Sequence, residues 1–425
     1  MSACNTYPSI PNPRLRSANR ELNDPRPRKI DDLIEDEHPA RIVWAFVERL
    51  NLSELYDRIK SVEGGAGSPA IDPKILIAIW LYAILDHEIS ARRIARLCQE
   101  SSAYIWLCGG VNVNHHTLSD FYSNSKEWLD KQIAAHLACL KTQGLVDFTC
   151  TAQDGMRVRA SAGASSFRRQ ASLEENLVAA KAHIEKLRQE QIENPVEGNK
   201  RKRAAQERAA RDTVERLEAA LDQLPEIEEK KKDEEARKNA RVSSTDPEAR
   251  VMKMGDGGFR PAFNVQFSTD PHSQVITGYD VVNVTDQNQL SPMLEQIHER
   301  TGEYPETCLV DGGFANHRAI EASEEKGVVV YAPVPKPKDA ERDPHKPLPK
   351  DSPAVAAWRE RMGTDAAQEI YKARAATAEC VNAIARLRGL QQFTVRGLTK
   401  AKTSIMWFVL AHNLMREAKL HPAVG

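Results

Sequence analysis

The chain has 425 residues, enough for two or three domains with a buried core. Its 59 Lys and Arg are offset by 60 Asp and Glu, for a formal net charge of −1, so no whole-chain pull on a polyanion exists and any nucleic-acid contact must come from local basic patches. No apolar run reaches membrane-spanning length, no signal-peptide apolar region opens the chain, and seven scattered cysteines without a C-x-x-C pair argue against a zinc site or a disulfide framework; the expected location is the cytoplasm.

Residues 1–36 are rich in Pro, Asn and Arg and read as a disordered or loosely attached arm. From 37 to 144 the pattern is helical. Ile42, Val43, Phe46, Val47 and Leu50 recur at helical spacing, and a second helix is expected from Asn51 through Leu55 and Tyr56. Pro73 opens a third helix that is apolar nearly all round and therefore buried. Residues 90–98 form a short amphipathic helix carrying Arg92 and Arg93. Another helix follows at 101–107, Gly109 and Gly110 make a turn, and Thr117 is the expected N-cap of the next helix. Short helices with a Gly-containing connection suit a helix-turn-helix-like DNA reader, with an all-helical packing domain as the alternative. The adjacent His115 and His116 are assigned no metal.

Residues 145–170 carry an expected strand at 146–151, Asp154 at its end, and a loop with Arg157, Arg159, Arg168 and Arg169. Those arginines suit a DNA backbone or a solvated loop equally. Residues 171–240 differ in kind. Leu173, Leu177, Ile184 and Leu187 recur at heptad-like spacing, residues 194–198 interrupt, and Val214, Leu217, Leu221 and Leu224 resume. The pattern predicts a coiled-coil-like antiparallel hairpin inserted between core strands.

Residues 241–425 alternate between strand and helix signals. Residues 262–268 have period two and pair with 274–282 across a Pro-containing turn. A loop and helix follow at 285–300, a strand at 304–310 closed by Asp311, Gly312 and Gly313, a helix at 317–326 and a strand at 327–331. Residues 333–353 read as a flexible loop. Residues 370–386, without Gly or Pro, read as one helix ending near Gly389, and 407–419 as a last amphipathic helix.

Two aspartates at strand ends and Glu379 on a late helix are the elements of a divalent-cation site. Arg386 lies two turns beyond Glu379 on the same face, with Asn382 between. If a fold gathers Asp154, Asp311 and Glu379, they supply hard oxygen ligands for Mg²⁺ or Mn²⁺. Two such ions roughly 4 Å apart would activate a water or a DNA 3′-hydroxyl for in-line displacement at phosphorus. Asp286 is a further acidic candidate. Asp256, between Gly255 and Gly257, reads as a turn residue, and Tyr371 as a packing or hydrogen-bonding neighbour of the site.

Several stretches occur together in one order: 154–162 from Asp154, 251–266 from Val251 to Gln266, 285–293, 310–314 around Asp311, Tyr371 through Arg374 and Glu379 to Arg386, 395–397 and 412–414. In these the chain resembles the DDE transposases of bacterial insertion sequences. The nearest subgroup has a charged helical insertion after the first aspartate and a Tyr-x-x-Arg-x-x-x-x-Glu helix. The resemblance implies an α/β fold: a ribonuclease-H-like mixed-sheet core with an N-terminal all-helical domain and an inserted helical hairpin. It implies Asp154, Asp311 and Glu379 as catalytic and metal-holding residues, with two Mg²⁺ or Mn²⁺ ions. It implies terminal inverted repeats and target DNA as partners, a homodimer or higher assembly on paired ends, and association with the nucleoid; Arg374 and Arg386 on the glutamate helix suit scissile-strand phosphates, or ion pairs with Glu379 or the sheet rim. Met156 stands where such proteins often have Thr, and Arg386 where related groups often have Lys. A nuclease of similar fold that cuts without joining, or an inactive DNA-binding remnant, are the alternatives.

Overall fold

The computed structural model describes residues 14–22, 29–65, 67–193, 200–337 and 341–421. Residues 1–13 and 23–28 of the expected arm, residues 194–199 of the hairpin and 338–340 of the expected loop lie outside the described residues. What is described of the arm is not loosely attached. Strand β1 (Leu15–Arg16) pairs in parallel with β2 (Ala70–Ile71), and the Arg20 guanidinium lies 3.3 Å from the centroid of the Trp44 ring.

The N-terminal helices are α1 (Pro39–Glu48), α2 (Ser53–Asp57), α3 (Pro73–Leu85), α4 (Ala91–Glu100), α5 (Ser102–Cys108), α6 (His115–Asn124) and α7 (Lys126–Thr142). Helix α3 starts at Pro73 behind Asp72, whose carboxylate accepts from the Lys74 N–H at 2.9 Å. It is buried on nearly every side. Gly109 and Gly110 both take positive φ, the left-handed conformation that closes α5. Helix α6 begins two residues before the expected Thr117. Its cap is Asn114, whose side chain accepts from the Thr117 N–H at 2.9 Å; Asn caps as well as Thr, and it comes first in the chain.

Strand β3 (Cys150–Arg159) begins where a strand was expected to end. Asp154 therefore sits in mid-strand and not at a terminus. A short pair, β4 (Phe167–Arg168) with β5 (Val242–Ser243), forms the base of a hairpin made by α8 (Gln170–Glu193) and α9 (Lys200–Glu229), with α10 (Glu234–Lys238) following α9. Lys181 pairs with Glu218 and Arg188 lies near Glu207, so the two long helices run antiparallel. Leu173, Leu217, Leu224 and Val242 give the hairpin its own small core.

The central sheet has six strands. Strand β6 (Arg250–Lys253) turns at Gly257 into β7 (Phe259–Thr269), which returns through a tight turn, with Gln274 at positive φ, into β8 (Ile276–Val282). Helix α11 (Leu290–Thr301), β9 (Thr307–Leu309), α12 (His317–Glu324) and β10 (Val329–Tyr331) follow. Strand β3 is antiparallel to β7 and parallel to β9, and β9 is parallel to β10. The path β8-β7-β3-β9-β10, with the short β6 on the edge of β7, is the ribonuclease-H-like order.

The C-terminal part holds α13 (Pro353–Met362), α14 (Asp365–Arg374), a π-helical turn (Ala375–Glu379), α15 (Cys380–Leu387) and α16 (Leu398–Leu420). The stretch 370–386 is thus two α-helices joined by a π turn, not one regular helix. Helix α16 is not amphipathic. From Ala401 to Leu414 it is buried almost all round, because it runs between the N-terminal helices and β8. Its Asn413 accepts from the Ile276 N–H at 2.8 Å and donates to the Ile276 carbonyl at 2.9 Å, completing the backbone of β8. One hydrophobic cluster joins Val43, Ile79, Trp128, Phe267 and Trp407, so the N-terminal helices and the sheet share a core. Among the described residues no helix is long and apolar enough to cross a membrane.

Candidate active site

Strand register places the two aspartates. Ala152 of β3 pairs with Leu309 of β9. Two residues on, Asp154 and Asp311 come to adjacent positions on the same face of parallel strands. The Arg374 guanidinium bridges them, donating to Asp154 Oδ1 at 3.2 Å and lying 3.8 Å from Asp311 Oδ2. Asn382 donates to Asp154 Oδ2 at 2.9 Å. The Asp154 side chain is 17% exposed and that of Asp311 41%. Asp154 is the inner carboxylate and Asp311 the outer one. Burial pushes the Asp154 carboxyl above the ordinary carboxylate range; Arg374 and the Gly155 N–H pull it back, while Asp311 and Asp286 push it further up.

Glu379 closes the π turn, which packs against β3 and β7, and its side chain is exposed. Arg374 and Glu379 are five residues apart. On a regular α-helix that spacing would put them roughly 140° apart around the axis. A turn closed by i→i+5 bonds brings residues five apart back to nearly one face. Asn382 is three residues beyond Glu379, on the same helical face, and already reaches Asp154.

Among the described residues no three His, Cys, Asp or Glu side chains converge closely enough to hold a metal. Asp154 and Asp311 are brought together, and Glu379 lies on the adjoining turn without closing the set. The donors present still fit a hard divalent cation. Arg374 stands between two carboxylates where a cation's charge belongs, and the buried Oδ1 of Asn382 beside them has no hydrogen-bond partner among the described residues.

The candidate basic residues separate into distinct places. Arg92 and Arg93 are exposed on α4, Arg93 pairing with Glu88 at 2.7 Å. Arg96, on the same helix and also exposed, was not singled out from sequence. Arg168 and Arg169 are exposed at the base of the hairpin, where Arg168 pairs across to Val242 of β5. Arg157, Arg159 and Arg386 line one groove of about 840 Å³ with Gly155, and Lys253 and Arg260 of the β6–β7 hairpin join them there. Lys253 and Arg260 carried no sequence signal beyond charge. Asp256 is a turn residue at the tip of that hairpin, accepting from the Gly258 N–H and pairing with Arg260 at 2.8 Å. Tyr371 is half-buried and packs beside the sheet.

On the opposite face of β3 from Asp154 lies a polar network. Asp286 accepts from Asn264 at 2.9 Å, Gln266 at 2.8 Å and Arg157 at 2.7 Å. Burial raises the Asp286 carboxyl, but these three donors hold it below its ordinary value. The sequence signal was the pair Asn264 and Gln266, polar at alternate positions of a strand that is otherwise core.

Residues 28–124 match the family model described as Transposase domain (DUF772), and residues 231–414 the one described as Transposase DDE domain. The chain belongs to the DDE transposases of insertion-sequence type. Comparison with curated proteins and with solved structures gives no match. Asp311 and Glu379 fall inside the second matched span of the transposase, whereas Asp154 lies on a strand before it, cut off by the α8–α9 hairpin.

Proposed function

We propose that this transposase binds the terminal inverted repeats of its element and catalyses both cleavage and strand transfer at one site built from Asp154, Asp311 and Glu379. The observation that carries the reading is the register of β3 and β9, which sets Asp154 beside Asp311 around a single cationic group. Asp154 and Asp311 would hold Mg²⁺ or Mn²⁺, with Glu379 supplying a further oxygen from the π turn. The bound ions, two by this reading, supply Lewis acidity that activates the attacking water or 3′-hydroxyl and stabilises the leaving oxygen.

The chain's own groups have separate parts. Arg374 balances the carboxylate pair and, set free by the cation, faces the scissile-strand phosphate. Asn382 fixes the Asp154 rotamer. Arg157, Arg159 and Arg386 hold the DNA backbone along the groove beside Gly155, and Arg168 and Arg169 contact DNA near the hairpin base. Arg92 and Arg93 on α4 contact the repeats through a helix-turn-helix-like unit of α4 to α6. The subgroup is that of the Tyr-x-x-Arg-x-x-x-x-Glu helix. Pairing two ends requires a homodimer or larger assembly, acting on the nucleoid in the cytoplasm.

The test uses purified full-length protein, labelled end DNA and Mg²⁺. Asp311→Asn keeps the side chain's size and removes one charged ligand; cleavage and strand transfer should fall by about 10³-fold or more while end binding persists. An Asp311→Asn protein that joins strands at the wild-type rate would overturn the site. Cutting without joining by the wild-type protein would identify a nuclease instead.

A further inference from the structure

We infer that Asp286 is a positioning residue that holds Arg157 in the DNA groove and braces the catalytic strand from behind. The inference rests on the DNA-binding reading of that groove. Asp286 comes from the loop between β8 and α11, yet its carboxylate is seated against β3 and β7. Asn264 and Gln266 fix one oxygen, and Arg157 binds the other at 2.7 Å. The side chains of Asp286 and Arg157 are 13% and 26% exposed, so the pair is sheltered from water and salt at one end and open to the groove at the other.

Gly155 shows how closely the loop is fitted. A Cβ at that position would lie 2.0 Å from Asp286 Oδ1, 2.7 Å from Gln266 Nε2 and 2.9 Å from Asn264 Oδ1. No side chain other than hydrogen leaves room for Asp286, and Gly155 is the residue directly after Asp154. The same loop approaches the second aspartate: a Cβ on Gly313 would lie 3.8 Å from the Asp286 Cβ and 3.0 Å from Asp311 Oδ1. Asp286 thus sits behind the pair that the proposed site depends on, without taking part in it.

A bare carboxylate beside a DNA groove would repel phosphate. Taken as charge alone, removing it should tighten DNA binding. Taken as a positioning group, removing it should weaken binding, because Arg157 loses the partner that orders it. Asn in its place could still accept from Asn264 and Gln266, but its amide would face the guanidinium donor to donor. The two accounts therefore predict opposite signs.

The experiment measures binding of the full chain to a fluorescent duplex of arbitrary sequence, across salt concentrations and without divalent ions. Thermal unfolding of each variant is followed alongside. Arg157→Gln should weaken binding and reduce the magnitude of the log–log salt slope by about one. Asp286→Asn should do the same despite gaining net positive charge, and the double variant should add nothing to either. Binding by Asp286→Asn as tight as wild type or tighter, or effects that add in the double variant, would overturn the inference. If Asp286→Asn does not fold, Arg157→Gln decides alone, since an unchanged slope removes the groove contact Asp286 is said to hold. Wild-type protein that binds no duplex at all would sink the DNA reading itself, a separate result.

Discussion

Asp154 carries the sharpest conflict in the molecule. It is a largely buried carboxylate whose neighbours include two others, Asp311 and Asp286, and one balancing guanidinium. Its folded pKa lies above its ordinary value of 3.8, chiefly through burial. A raised carboxyl pKa means that ionising the group costs stability: what the neutral form contributes is present below about pH 3.8 and is lost as pH rises through the folded value. Asp154→Asn removes that cost. Without divalent ions, Asp154→Asn should therefore melt at or above the wild-type temperature at pH 7 to 8, with the gain vanishing below about pH 3.8. Its strand transfer should be lost. A variant less stable than wild type at pH 8 would mean that the Arg374 and Asn382 contacts outweigh the desolvation.

The same residue shows what sequence reading reaches and where it stops. Asp311 stood out because a strand closed by Asp and followed by Gly312-Gly313 has few structural uses, whereas Asp154, expected at a strand end, lies in mid-strand. Their register was not legible, because nothing local ties 152 to 309. The role of Asp286 was hidden for a similar reason, since its partners at 157, 264 and 266 belong to other strands.

At the scale of elements, the π turn is the feature that no sequence signal announced. Ala375, Ala376, Thr377 and Ala378 are ordinary helix residues, and a regular helix was the natural reading. The turn inserts one residue's worth of rotation between Arg374 and Glu379. Deleting the exposed Ala376 should convert it to regular α-helix, leaving the two side chains four apart and still on one face. That variant should fold and keep strand transfer within about tenfold of wild type, whereas deleting both Ala375 and Ala376 turns Glu379 and Asn382 together by roughly 100° relative to Asp154 and should abolish it. Equal loss in both would show that the turn is needed for itself and not for its phase. Helix α16 was misread for the opposite reason. Its Lys400, Lys402, Arg416 and Lys419 suggest a wet face, but the apolar side chains between them are enclosed by the N-terminal helices on one side and β8 on the other.

At the scale of the whole molecule, an ion cluster around one buried carboxylate ties the first helices to the last. Glu417 of α16 is 3% exposed and accepts from Arg49, the C-cap of α1, at 3.0 and 3.3 Å and from His136 of α7 at 3.0 Å. Burial pushes its carboxyl up, but the His136 and Arg49 contacts hold it at about 2, below an ordinary 4.5. A depressed carboxyl pKa contributes stability that is full above about pH 4.5 and is lost as pH falls through about 2. Glu417→Gln should cost about 1–3 kcal/mol at pH 7, read by denaturant unfolding, and the gap to wild type should close on acidification. A gap that does not change with pH would assign the effect to packing. The shared core also means that loosening this cluster should reach both the helical region and the sheet, seen as one unfolding transition and not two.

The measurement that tests the central claim most directly is strand transfer by Glu379→Gln in Mg²⁺. Asp154 and Asp311 already meet, whereas Glu379 is exposed on the π turn and joins them only if the site has three carboxylates. The account predicts joined product reduced by about 10²-fold or more with folding and end binding intact. Joining at close to the wild-type rate would make Glu379 a surface charge and leave the site with two aspartates only.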